Sequence, residues 1–78
     1  MNERNILEVL GKNMHDIRYE KNMSLLELAE KTNLDIDKLR KFEAGEYSGL
    51  DMRHHSIIAD GLGVGMEKFY KNIQFVDD

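Results

Sequence analysis

Three cations stand within four residues, at Lys38, Arg40 and Lys41. An arginine can donate two hydrogen bonds to guanine O6 and N7, and lysine can do the same work or hold a phosphate as a point charge. A basic run near a helix C-terminus also gains from the helix dipole and is by itself an ordinary solvated face. Its meaning therefore depends on the elements that position it. The other reactive side chains point to no chemistry. There is no cysteine, hence no disulfide, thiol nucleophile or Cys-based zinc site. His54 and His55 are adjacent, so on a helix they point apart and cannot share an ion; no metal site and no cofactor are expected. A change of protonation at His55 could make stability pH-dependent. Ser24, Ser48 and Ser56 have no His/Asp partners that would activate a nucleophile. Gly61-x-Gly63-x-Gly65 follows no strand and is no phosphate fingerprint. No enzyme is expected.

The elements come next. The chain's 78 residues suit one domain, 1–78, with its core over 10–70. Proline is absent and a third of the residues are charged, which favours helices. Apolar residues recur at helical spacing through Leu7, Leu10, Met14 and Ile17, predicting a first helix over about 4–21. Gly11 inside it implies close packing. Ser24 and Glu27 form an S-x-x-E start signal, with Met23 before it to staple onto Leu28, for a second helix over about 24–31. Asp35 caps a third over about 36–43, with Leu34 stapling Leu39 and Gly45 as terminator. Asp51 caps a fourth that runs to Leu62 and is stopped by Gly63. A fifth covers roughly 66–73, with Val64 stapling Phe69. The fold class is all-α, a compact five-helix bundle.

The second and third helices carry the specific signal. Ala29 is small enough for two helices to cross closely. Asn33 tolerates a left-handed turn residue. Leu39 and Phe42 bury one face of the third helix and leave the other outward. These are the demands of a helix-turn-helix. With LGKNMHDIR at 10–18, NMSLLELAEKTNL at 22–34, LRKFEAGE at 39–46 and IIADGLGVGMEKF at 57–69, the chain resembles the Cro/Xre-type helix-turn-helix regulators related to phage repressors. The resemblance covers most of the chain and implies a lambda-repressor-like DNA-binding domain. It further implies that Arg18 and Glu43 meet as a structural ion pair.

Within that frame the third helix presents Ile36, Asp37, Lys38, Arg40 and Lys41 to double-stranded DNA. Ile36 could pack on a thymine methyl, and Asp37 could accept from cytosine N4, though its charge opposes phosphate. Ser24 opens the second helix, where backbone N–H groups and the dipole suit a phosphate. Leu25 stands where the family usually has glutamine. The loop at 46–50 flanks DNA in related domains, so Tyr47 and Ser48 join the candidate contacts. Met66, Tyr70, Ile73 and Phe75 form a candidate homodimer interface, which would set two reading helices about 34 Å apart on a partly palindromic operator. The net charge of −4 gives no general attraction to nucleic acid, so binding would rest on the local patch. That acidity, with Leu25, Ile36 and Asp37, leaves a second reading open: a protein-interaction module of the same fold, antirepressor- or antitoxin-like, with weak or no DNA binding. The polar stretch Met1-Asn2-Glu3-Arg4-Asn5 has no signal-peptide pattern and no apolar run is long enough to span a bilayer. The expectation is a cytoplasmic protein with no membrane partner and no small-molecule effector.

Overall fold

Short polar side chains at the helix starts and left-handed residues at the helix ends divide the chain. In the computed structural model, which describes residues 3–73, five helices follow one another: α1 (Glu3–Glu20), α2 (Leu25–Thr32), α3 (Ile36–Glu43), α4 (Met52–Leu62) and α5 (Met66–Phe69). There is no strand among the described residues. The Ser24 hydroxyl accepts from Glu27 N–H at 3.0 Å, the Ser24 half of the box read from the sequence. The Asp35 carboxylate accepts from the N–H groups of Asp37 and Lys38. Asp51 does the same for Arg53 and His54, and its own N–H donates to His54 Nδ1, so both halves of a capping box form there. An Arg53 hydrogen bond, with these N–H groups, holds the Asp51 carboxyl at about 2, well below the ordinary carboxylate value.

Left-handed residues close the helices. Asn33 ends α2 at φ 59°. After α3, Gly45 lies at φ 76° while its N–H donates to Phe42 O and that of Glu46 donates to Lys41 O, so the last carbonyls are satisfied. Gly63 performs the same task for α4. Each of Met23, Leu34, Leu50 and Val64 stands just before an N-cap and packs against the core. These anchors fix where the chain enters each helix.

The core takes Leu10, Met14 and Ile17 from α1, Leu28 and Ala29 from α2, Leu39 and Phe42 from α3, Ile58, Ala59 and Leu62 from α4, and Phe69 from α5. A fully buried Leu or Phe contributes roughly 1.5–3 kcal/mol. Leu28, Leu39 and Phe42, all essentially inaccessible, therefore do most to fix the α2–α3 pair on the rest of the bundle. Two glycines permit close approach. A Cβ on Gly11 would sit 2.5 Å from Phe42 O and 2.6 Å from Glu43 O, so α1 lies directly on the end of α3. A Cβ on Gly61 would sit 2.7 Å from Thr32 Cγ2, where α4 meets α2.

The fifth helix departs from expectation. Predicted over 66–73, it ends at Phe69 with Tyr70 as its cap. The buried side chain of Asn13 is the reason. Its Nδ2 donates to Phe69 O at 2.9 Å and to Lys71 O at 2.6 Å, drawing both carbonyls away from a helical ladder, and Asn72 turns left-handed at φ 68°.

Candidate nucleic-acid interface

The outward side of α3 follows from what its other side must bury. With Leu39 and Phe42 in the core, Asp37, Lys38, Arg40 and Lys41 are all exposed. Ile36 is half-buried and packs against the core. Arg40 Nη1 donates to Asp37 Oδ1 at 2.6 Å. Among the described residues, Lys38 and Lys41 form no ion pair. The face thus offers two unpaired ammonium groups and one guanidinium already holding a carboxylate.

Ser24 lies exposed at the start of α2. Leu25, the next residue, is half-buried against the core, with Leu26 beside it 58% exposed. Loop 46–50 runs past the N-terminal half of α3. Tyr47 is half-buried there and its ring folds over Gly49, where a Cβ would collide with it. A depression of about 380 Å³ lies between the α2–α3 turn and this loop, and Asn33, Lys38, Tyr47 and His54 line it. Ser48 is exposed. Ser24, the α3 cations and loop 46–50 are therefore placed at the helix-turn-helix by two caps and one turn.

Behind α3, Arg18 and Glu43 form a two-pronged pair. Nε donates to Oε1 at 2.9 Å and Nη2 to Oε2 at 2.7 Å, while Nη1 donates to Met23 O at 2.9 Å. The side chains are 11% and 15% exposed. Glu43 raises the Arg18 pKa above its ordinary value, while partial burial opposes it. One guanidinium thus ties the end of α1 to the end of α3 and to the entry of α2. This bracket fixes the end of α3 against α1 and the entry of α2.

Met66, Tyr70 and Ile73, the candidate dimer residues, are half-buried and pack against the core; Phe75 lies outside the described residues. Tyr70 and Ile73 line an apolar groove of about 100 Å³ with Ile6, Leu10, Met52 and His55. The sequence reading missed Met52, which lines this groove and is 69% exposed; Ile57, 43% exposed, is on another side of α4. The signal was available in principle, since they fall off the face defined by Ile58, Ala59 and Leu62. His55 sits among Phe42, Phe69 and Tyr70, with Nδ1 2.8 Å from Tyr70 Oη and Nε2 buried without a hydrogen-bond partner among the described residues. Desolvation lowers its pKa from the ordinary 6.5, with His54 adding to the effect and Asp51 opposing it. Among the described residues no group of three or more His, Cys, Asp or Glu could hold a metal ion.

Comparison with known proteins gives the fold a context. No family model and no curated protein sequence matches the chain. Solved structures do. The restriction-modification controller protein C.Esp1396I is 29% identical, with 85% of this chain and 84% of that one covered and a TM-score of 0.77. A hypothetical transcription factor, NHTF from Neisseria, is 26% identical over 90% of this chain and 79% of its own, with a TM-score of 0.78. The clp gene regulator ClgR from C. glutamicum is 23% identical over 82% of each chain, at a TM-score of 0.77. With controller proteins and transcription factors as its structural neighbours, and with α2, Asn33 and α3 in the arrangement described above, the chain has the all-α fold of helix-turn-helix regulators.

Proposed function

We propose that this protein is a sequence-specific double-stranded DNA-binding transcriptional regulator. The observation that carries this reading is the outward face of α3, where Lys38, Arg40 and Lys41 are all exposed, together with the exposed N-cap Ser24 of α2. Regulators among the structural neighbours support it. Arg40 reads guanine; Lys38, Lys41 and the Ser24 end of α2 hold phosphates, with Tyr47 and Ser48 on the flanking backbone. Asp37, Ile36 and the exposed part of Leu25 line the same face. The Arg18–Glu43 bracket holds the end of α3 against α1 and the entry of α2.

The protein acts as a homodimer on a partly palindromic operator, through Met66, Tyr70 and Ile73 with the exposed Met52 of α4; Phe75 belongs to the same proposal. It works in the cytoplasm, without catalysis, cofactor or small-molecule effector. Among the described residues no helix is long and apolar enough to cross a membrane.

Selection from a random duplex pool tests the reading. An enriched sequence is expected, with affinity that falls steeply as salt rises, because Lys and Arg release counterions from the phosphates. No enrichment and no salt dependence would turn the assignment to a protein-interaction module. Sedimentation of the free and bound protein tests the dimer: a monomer in both states removes the palindromic operator.

A further inference from the structure

The sequence places Asp37 and Arg40 three residues apart, which on a helix stacks one above the other. The structure closes them into a pair, Arg40 Nη1 donating to Asp37 Oδ1 at 2.6 Å, with the side chains 60% and 74% exposed. An ion pair this open adds little to folding. Nor is Asp37 needed to start the helix, since Asp35 already caps it. The pair instead occupies the middle of the face on which the cations stand. Arginine has five N–H donors, so engaging one leaves Nε and Nη2 able to donate.

We propose that Asp37 and Arg40 act as a single reader of one G·C base pair, Asp37 being the specificity-determining member; this rests on the DNA-binding reading of α3. In the major groove a G·C pair presents two acceptors, N7 and O6 of guanine, and then one donor, N4 of cytosine. Arg40 and Asp37 present the complement: two donors and one acceptor, joined by their own hydrogen bond. An A·T pair presents acceptor, donor, acceptor, so thymine O4 faces the carboxylate and repels it. Asp37 also sets a negative charge beside Arg40 that discourages its use on phosphate. Non-specific binding is weakened more than binding to the correct base pair.

Wild type, Asp37→Ala and Arg40→Ala, each checked for an unchanged thermal melt, are tested on a random duplex DNA pool. The wild-type consensus is then titrated with each G·C pair changed to A·T. In the wild type, one such change is expected to weaken binding about tenfold or more. Asp37→Ala should reduce that ratio to about threefold or less, while tightening binding to random duplex and steepening its salt dependence by about one unit in log–log slope. Arg40→Ala should abolish the preference at that position. An Asp37→Ala protein that keeps full discrimination, or gains no affinity for random duplex, overturns the proposal and leaves DNA binding standing. A wild type that enriches no sequence overturns both.

Discussion

Removing Arg18 tests the bracket behind α3. Arg18→Met keeps an apolar stem of similar length and deletes the guanidinium. Three charge-assisted hydrogen bonds are lost, two to Glu43 and one to Met23 O. The remaining Glu43 carboxylate is only 15% exposed, so water replaces its partner incompletely. Breaking one side of a buried pair costs about 3–5 kcal/mol, and partial exposure here argues for the lower part of a range of about 2–4 kcal/mol. For a domain of this size each kcal/mol lowers Tm by about 4–8 °C, so the melt should fall by roughly 10–25 °C. The double variant Arg18→Met/Glu43→Leu removes the orphaned charge and should recover about half of the loss or more, since apolar replacement of a buried pair is close to neutral. Only the unpaired Met23 carbonyl remains. Thermal and urea unfolding of the four proteins complete a double-mutant cycle. A shift below about 4 °C for Arg18→Met, or a double variant as unstable as the sum of the singles, would refute the reasoning.

Gly11→Ala should destabilise the protein by about 1–3 kcal/mol in urea unfolding, despite alanine's better helix propensity, because the new Cβ meets the backbone carbonyls of Phe42 and Glu43; a stabilised variant would show that α1 and α3 do not touch there. Asn13→Ala should cost about 2–3 kcal/mol by leaving Phe69 O and Lys71 O without their donor, and amide exchange in residues 66–73 should accelerate before the rest of the chain; uniform exchange would contradict it. His55 predicts a pH effect. Its folded pKa lies below 6.5, so the unfolded chain binds the proton more readily and stability is full above about pH 6.5 and declines as pH falls below it. Melts at pH 8 and pH 5.5 should separate wild type from His55→Phe, with the wild type losing more; parallel losses would assign the effect to other groups.

The caps, apolar faces and terminators depend on residues within about one helical turn, which is why they were legible in the sequence. Asp35 and Asn33 bound α2 and α3 as read, and Leu39 with Phe42 settled which side of α3 faces out. Asp51 also starts α4, but its partner in the full capping box is His54, a residue the S/T-x-x-E/Q rule does not name. Tertiary packing decided the rest. Nothing near Asn13 in the sequence announces its partner, since Phe69 O lies 56 residues further on, where the bond ends α5 early. Gly61 read as part of a helix end, and only the crossing of α4 on α2 shows the space it leaves for Thr32. His55 lies among three aromatic rings from α3, α5 and the turn after α5.

For the candidate interface the division is similar. The order of Lys38, Arg40 and Lys41 along the chain determined that cations could share α3's outer side. The three-residue spacing of Asp37 and Arg40 determined that they could pair; burial of Leu39 and Phe42 and the Arg18–Glu43 bracket, whose members are 25 residues apart, decided which side of α3 is turned outward and how its end is held. Local spacing controls the first because a helix has a fixed period. Only the packed bundle controls the burial and the Arg18–Glu43 bracket, because these depend on neighbours distant in the chain.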